Sequence, residues 1–262
     1  MRRSLVPTVS AAVLVAAYIP VMVPVAAADV PTCLGMPATI VGTNGSDDLF
    51  GTDGPDVIWA GPSVDWVRGY GGDDLICMGD PADAPDPSNN ELVGGGRGDD
   101  KIVGAPGAAL LLGGEGNDEI WAVGGRDSGS GDDYESIVWG GPGDDVLHGR
   151  GGRDSVEGRR GNDTLDGGGG DDLLQGGHGD DALAGGDGED QLWGDPPKRG
   201  FGQGREGDDI LRGGAGDDEL YGQGGANDND GGAGDDGCAD PFAGAHADGC
   251  ERVLTAPPQS DD

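Results

Sequence analysis

In three runs between residues 42 and 239 an aliphatic side chain recurs at almost every ninth position, within segments otherwise rich in glycine and aspartate. Six consecutive blocks from residue 140 to residue 193 share glycine at positions 1 and 4, aspartate at position 6 and an aliphatic residue at position 8. A fixed short period of this kind is typical of solenoids, in which each repeat packs only on its neighbours. The pattern therefore predicts one continuous solenoid, with the residues at position 8 pointing inward as two facing aliphatic rows.

The same register extends without a break back to residue 95, and further blocks occupy 42–77 and 204–239. Two segments interrupt it, and their proline and polar residues indicate loops that leave the solenoid. The first, 78–94, ends in a degenerate block with Glu91 and Val93 at positions 6 and 8. The second is 194–203. Four tryptophans fall at position 9, where we expect them on the outside: Trp59, Trp121, Trp139 and Trp193.

The nine-residue pattern G-G-x-G-x-D-x-U-x resembles the repeats of the repeats-in-toxin (RTX) family, the hemolysin-type calcium-binding repeats. In that family the first six residues form a calcium-binding turn and the last three form a short strand. Two nonapeptides complete each turn of a right-handed parallel β-roll. The resemblance thus implies an all-β fold, a right-handed parallel β-roll solenoid built from GGxGxDxUx nonapeptide repeats.

The resemblance also implies that each aspartate at position 6 binds a Ca²⁺ ion shared with the turn two blocks away. Carboxylate and carbonyl oxygens suit Ca²⁺, and glycine at positions 1, 2 and 4 permits positive φ and a close approach of the backbone. Ala109, Gly129 and Ser136 break the pattern, so we expect weaker calcium occupancy between about residues 104 and 139. The candidate metal ligands are Asp47, Asp56, Asp74, Asp100, Asp118, Asp145, Asp154, Asp163, Asp172, Asp181, Asp190, Asp209, Asp218 and Asp236.

The formal net charge of −35 agrees with calcium as the main partner. A compact chain with this charge repels itself unless cations are bound, so we expect folding and calcium binding to be coupled. Nucleic acids and anionic membranes are excluded as partners because both attract positive surfaces. The sequence does not name a protein or polysaccharide partner.

Residues 1–28 predict a secretory signal peptide, with Arg2 and Arg3 before an apolar run that ends in small residues. A membrane anchor is the alternative because the run is long enough to span, although prolines interrupt it. The domain organisation predicted after it is an N-terminal cap over 29–41, the roll over 42–239, and a C-terminal cap and tail over 240–262.

Four cysteines, an even number, suggest two disulfides in an exported chain. Three pairings are possible. We favour Cys33 with Cys77 and Cys238 with Cys250, because each pair lies at one end of the repeats. Free thiols or a metal site are the alternative, but there is no C-x-x-C spacing.

No H-E-x-x-H or G-x-S-x-G motif occurs, and the aspartate pairs recur at many equivalent places rather than at one tuned site. We therefore expect a non-enzymatic calcium-binding protein, secreted into the extracellular space or held at the cell surface, that serves as a structural, surface or matrix element. The competing hypothesis is a secreted carbohydrate-active or proteolytic enzyme, or the accessory chain of one, stabilised by a calcium β-roll.

Overall fold

The computed structural model describes residues 30–79, 91–106, 109–123, 136–196, 207–239 and 246–254. In these ranges the chain forms β-strands and no helix, so no helix of the described part is long and apolar enough to cross a membrane. The predicted signal peptide, 1–28, lies outside the described residues. The strands are β1 (Thr32–Cys33), β2 (Met36–Pro37), β3 (Ile40–Val41), β4 (Asp48–Phe50), β5 (Val57–Trp59), β6 (Trp66–Gly71), β7 (Leu75–Cys77), β8 (Glu91–Arg97), β9 (Lys101–Pro106), β10 (Ala109–Glu115), β11 (Glu119–Val123), β12 (Ile137–Pro142), β13 (Val146–Gly151), β14 (Ser155–Arg160), β15 (Thr164–Gly169), β16 (Leu173–His178), β17 (Ala182–Asp187), β18 (Gln191–Trp193), β19 (Ile210–Ala215), β20 (Glu219–Tyr221), β21 (Asp228–Ala233), β22 (Gly237–Ala239), β23 (His246–Asp248) and β24 (Arg252–Val253).

Strands alternate between two parallel 11-stranded sheets. The even sheet contains β4 to β24 in even-numbered order, and the odd sheet contains β3 to β23 in odd-numbered order. In the regular part each residue pairs with its equivalent two nonapeptides later, as Val146 does with Thr164. Two nonapeptides therefore make one turn, and the predicted all-β parallel roll is confirmed. Its right-handedness stays a prediction.

The inward position is the eighth, as predicted. Because successive side chains of a strand point to opposite faces, one aliphatic residue per strand enters the space between the sheets. The predicted members are between 0 and 2% exposed: Leu147, Val156, Leu165, Leu174, Leu183 and Leu192. The four tryptophans at position 9 are half-buried on the outer faces, where Trp193 stacks on Tyr221 with ring centroids 4.5 Å apart.

The unbroken register from residue 95 to residue 193 is wrong. Leu111 pairs directly with Val138, its equivalent three nonapeptides later, so this turn is one nonapeptide longer than the regular turns. The additional nonapeptide, 122–130, has Gly129 at position 8 instead of an aliphatic residue. Residues 124–135, with Asp127 and Gly129, lie outside the described residues.

The first loop is also shorter than predicted, and the sheets extend further at the C-terminus. Residues 91–94, assigned to the loop 78–94, begin β8, because Val93 enters the core opposite Val67. At the second interruption Leu183 pairs with Leu211, so this turn too is longer than two nonapeptides. Beyond residue 239, strands β23 and β24 add to the two sheets, so the segment 240–262 contains sheet residues and not only a cap.

Both favoured disulfides are present. Cys33 joins Cys77, which lies on the outer face of the odd sheet, and Cys238 joins Cys250. The first disulfide therefore fixes the antiparallel pair β1 and β2 to the beginning of the roll. The second ties the chain near β23 to β22.

Glycine serves two different purposes in the turns. At positions 2 and 4 the backbone is left-handed, with φ of +105° at Gly168 and +118° at Gly170. At position 1, Gly167 has an ordinary φ, but a Cβ there would collide with the carboxylate of Asp172. The expectation of positive φ at position 1 is therefore wrong, because that glycine provides space for the aspartate.

Candidate metal centre

The residues at position 6 form two rows, one along each edge of the roll. The odd row precedes the strands of the odd sheet: Asp56, Asp74, Asp100, Asp118, Asp145, Asp163, Asp181, Asp209 and Asn227. The even row precedes the strands of the even sheet: Asp47, Asp65, Glu91, Ala109, Ser136, Asp154, Asp172, Asp190, Asp218 and Asp236. All fourteen aspartates predicted from the sequence lie in these rows, and every one except the half-buried Asp47 is buried.

After the first member of each row, Asp47 or Asp56, one carboxylate oxygen of each aspartate is fixed by the backbone of the preceding turn. Asp172 Oδ1 accepts the N–H of Asp154 at 2.8 Å, and Asp172 donates its own N–H to Asp190 Oδ1 at 2.8 Å. The odd row repeats this contact, for example from Asp145 N–H to Asp163 Oδ1 at 2.8 Å. Since adjacent strands are about 4.8 Å apart, the contact stacks carboxylates of like charge at close range.

Asp47 and Asp56 receive hydrogen bonds at the second oxygen from Thr43 and Thr52, but the second oxygen of most other members has no hydrogen-bond donor among the described residues. It is buried at Asp65, Asp74, Asp100, Asp118, Asp145, Asp163, Asp172, Asp181, Asp190, Asp209, Asp218 and Asp236. A buried, ionised oxygen without a partner is strongly unfavourable. The rows therefore need positive charge at these oxygens.

Asn227 shows what the site accepts when the carboxylate is absent. Its Oδ1 accepts the N–H of Asp209 at 2.9 Å, as an aspartate would. Its Nδ2 donates to the carbonyl oxygen of Gly224, at position 3 of its own block, at 2.7 Å. An amide donor thus stands where an aspartate would direct its second oxygen toward the same carbonyl. In the aspartate blocks, a cation between carboxylate and carbonyl oxygens would take the place of this donor.

Burial raises the pKa of the aspartates because the ionised form loses its hydration, and neighbouring carboxylates raise it further. The pKa of Asp145 and of Asp181 rises from 3.8 to about 8, and that of Asp172 to about 7. The backbone hydrogen bond to each carboxylate lowers the pKa and only partly offsets the burial. A bound cation would favour the ionised forms.

The donor set fits Ca²⁺. The described residues contain no group of three or more His, Cys, Asp or Glu side chains placed to hold a metal ion together. Backbone carbonyl oxygens must therefore complete the ligand set, and a Cβ at Gly149 would lie 2.7 Å from both Asp154 Oδ2 and the carbonyl oxygen of Gly167. Mixed carboxylate and carbonyl oxygens in a backbone-rich turn suit calcium better than softer metals.

The sequence profile of the RTX calcium-binding nonapeptide repeat matches residues 41–76, 94–134, 121–156, 129–165, 139–174, 157–192 and 203–237. Together these segments cover well over half of the chain. The chain belongs to the RTX repeat family. It is accordingly a calcium-binding repeat protein. No curated protein matches the chain significantly.

Three acidic residues at the edges of this RTX roll are absent from the ligands predicted by sequence. Asp65 occupies position 6 of a block in which Ser63 replaces the glycine at position 4. Ser63 nevertheless adopts a φ of +110°, so the turn is kept. Glu91 is buried in the even row, where a hydrogen bond from the backbone of Ala105 only partly offsets the burial of its carboxylate. Asp195 lies outside the nine-residue register and is buried, and its charge raises the pKa of Asp181 and Asp209.

Apart from Asn227 in the odd row, the described position-6 residues that are not aspartate lie on the even edge. Glu91, Ala109 and Ser136 are consecutive members of the even row, whereas the odd row keeps Asp100, Asp118 and Asp145 beside them. Burial, and then the charge of Asp65, raises the pKa of Glu91 to about 8. Among the described residues of this stretch, the position-6 departures therefore lie on the even edge, and the weaker calcium binding expected there stays a prediction.

Proposed function

We propose that this RTX protein is exported, folds when it binds extracellular Ca²⁺, and then acts as a structural element of a surface or matrix. The observation that carries this proposal is the series of buried aspartates from Asp65 and Asp74 onward, most of which have one oxygen fixed by the backbone and one oxygen without a donor among the described residues. Such rows are unfavourable without cations. Bound calcium would neutralise the buried carboxylates and connect successive turns through shared ligands.

We infer that the ligands are the fourteen aspartates predicted from the sequence, together with Asp65. Each would contribute its second carboxylate oxygen, and the backbone carbonyls of the turns would supply the remaining ligands. The equivalence of the members supports this assignment, since the same hydrogen bond recurs along both rows. Asp47 and Asp56, the first members of the two rows, stand apart because the Oδ2 of each accepts hydrogen bonds from the backbone and hydroxyl of a threonine, Thr43 and Thr52 respectively.

Export is supported by two features of the chain. The Cys33–Cys77 and Cys238–Cys250 disulfides are of the kind that persist in oxidising compartments. The first residues have the charge and hydropathy pattern of a signal peptide. Extracellular calcium, at about 10⁻³ M, lies in the range used by weak extracellular modules.

We also propose that the chain has no catalytic activity of its own. Strongly shifted pKa values often mark an active site, but here they are shared by a long series of equivalent aspartates. A repeated shift has a structural cause, the burial of each row. Turnover of a polysaccharide or peptide by the calcium-loaded protein, abolished by a single substitution, would instead support the enzyme hypothesis.

The test is a calcium titration of the purified protein followed by circular dichroism. We expect little β-structure in excess chelator and a gain of β-structure as calcium rises through about 10⁻⁴ to 10⁻³ M. Magnesium is the matched control, and it should substitute poorly because it requires smaller octahedral sites and retains its water. The same β-sheet spectrum in chelator and in calcium would contradict the proposal.

A further inference from the structure

The two outer faces of the roll differ in character. On the even sheet, large apolar side chains are exposed to solvent: Phe50 (53%), Trp66 (55%), Tyr70 (50%), Ile137 (38%) and Leu173 (43%). Among the described strands of the odd sheet, only Val41 and Ile210 are comparably exposed. Contiguous apolar patches on a soluble protein commonly mark an interaction surface. We call the outer face of strands β4 to β16 in the even sheet the even face.

Strand β10 lies at the centre of the even face, with three even-numbered strands on each side. Each strand presents positions 7, 9 and 2 outward. Position 9 reads across the strands as Phe50, Arg68, Gly94, Leu112, Trp139, Glu157 and Gln175. Position 7 reads Asp48, Trp66, Leu92, Leu110, Ile137, Ser155 and Leu173.

We compare residues at the same position on strands that lie equally far from β10 on its two sides, and call them counterparts. Large residues on one side have small counterparts on the other. Trp139 on β12 has as its counterpart Gly94 on β8, where an added Cβ would have nothing within 4 Å. Trp66 on β6 has as its counterpart Ser155 on β14. Leu92 corresponds to Ile137.

Charges are complementary about the same strand. Arg68 on β6 has Glu157 on β14 as its counterpart. At position 2, Tyr70 corresponds to Arg159, a cation opposite an aromatic ring. Within one chain Arg159 lies over the Trp139 ring, 4.3 Å from its centroid, and pairs with Glu157 at 3.3 Å, so the dimer contacts would share or exchange these partners. The left-handed φ of Tyr70 and Arg159 is also found at Arg150 on the odd sheet and belongs to position 2 rather than to the even face.

We propose that a second copy of this chain packs on the even face, related by a two-fold axis parallel to strand β10. Rotation about the strand direction reverses the order of the strands but keeps each position along them, so position 9 faces position 9. Arg68 of each copy would then face Glu157 of the other, and Trp139 would enter the space over Gly94. A two-fold axis perpendicular to the strands would instead place Arg68 opposite itself, which is unfavourable.

The size of the face predicts a weak dimer. Seven strands about 4.8 Å apart and five residues of about 3.3 Å each cover about 34 by 17 Å, or about 560 Å² in projection. Stable specific interfaces bury about 800 Å² per partner, so the even face lies at the weak end of the range. The chain charge of −35 also opposes association. At the rim of the proposed interface, Asp48 of one copy would face Leu173 of the other, which is a poor contact. The proposal requires a folded, calcium-loaded roll but not the role as an exported structural element.

Sedimentation velocity in calcium, from about 1 to 100 µM protein, tests the proposal. We expect a monomer–dimer equilibrium that R68E and E157R each weaken at least tenfold. The double variant R68E/E157R should restore dimerisation, because the two charges are exchanged and still face each other. Arg153→Glu is the control for charge alone, since Arg153 is exposed on a turn outside the even face.

Gly94→Trp is a second variant, which should block dimerisation because it fills the space that Trp139 of the other copy would occupy. Open space over Gly94 means that this change should leave the monomer folded, which circular dichroism in calcium would check. A protein that stays monomeric at all concentrations would overturn the proposal. So would a dimer that R68E and G94W leave intact, or one that the charge exchange does not restore.

Discussion

The contribution of a single buried carboxylate can be isolated with Asp172→Asn. This change keeps the oxygen that accepts the N–H of Asp154 and replaces the second oxygen with an amide donor. Asn227 shows that asparagine fits such a site. The matched control is Asp171→Asn, because Asp171 is exposed, carries the same charge and likewise accepts a backbone N–H, that of Glu189, at 3.0 Å.

Without calcium, D172N should stabilise the folded roll. Burial first, and neighbouring carboxylates second, raise the pKa of Asp172 from 3.8 to about 7. A shift of about three units corresponds to about 4 kcal/mol of unfavourable ionisation in the folded state at high pH, as an upper bound. The pKa of Asp172 is higher in the folded state than in the unfolded state. Its ionisation therefore destabilises the fold progressively as pH rises from about 4 through 7. The advantage of D172N should therefore be largest at about pH 8 and disappear near pH 4.

With calcium the order should reverse, because D172N lacks one ligand oxygen. We expect the calcium midpoint for folding to rise in D172N and to change little in D171N. The calcium-free stability can be compared through the concentration of a protecting osmolyte needed to induce β-structure in chelator. Equal calcium shifts in both variants would show that net charge, and not the second oxygen of Asp172, controls folding.

Three further changes test other parts of the roll. Asn227→Asp should add one bound calcium ion per chain, measured by calorimetry, because it restores a carboxylate beside the carbonyl of Gly224. Asn229→Leu should raise the unfolding free energy in calcium by about 1–3 kcal/mol, since Asn229 is fully buried at position 8 and neither polar atom of its amide has a partner. For the unmodified protein, calcium affinity should increase as pH rises from about 6 to 8, the range in which Asp163 and Asp145 ionise in the fold.

The period of the sequence predicts most of the fold because one inward aliphatic residue per nonapeptide determines the register. It fails in the block that contains Asp127, which keeps the glycine and aspartate of a turn but has Gly129 in place of the aliphatic residue. The pairing of Leu111 with Val138 shows that the turn motif alone does not fix the pairing, while Asn229, buried at position 8 of β21, shows that a polar inward residue can also be accommodated. Turn residues were sufficient to suggest a repeat but not to place it.

The candidate site was predictable to a similar extent. Position 6 identifies the aspartates, and the period also puts Asp65 at this position. Asp65 is not among the predicted ligands because its block lacks the glycine at position 4 that a calcium-binding turn normally has. Nor does the period show that the defects at Ala109 and Ser136 share one edge. Ala109 and Ser136 are three blocks apart, so simple alternation of blocks would place them on opposite edges. They share an edge because β10 pairs directly with β12, and this long-range pairing cannot be read from the period.

The gap in the even row and the proposed dimer involve the same strands. Ala109 and Ser136 remove the position-6 carboxylate from the even row at β10 and β12, so we expect calcium to link these turns mainly along the odd edge. Leu110, Leu112 and Trp139 on the outer face of the same two strands would be covered by a second copy. Association that requires the folded form stabilises it by mass action, so the calcium midpoint should fall as protein concentration rises. G94W should remove this dependence on concentration, and a midpoint that is independent of concentration in the unmodified protein would separate folding from association.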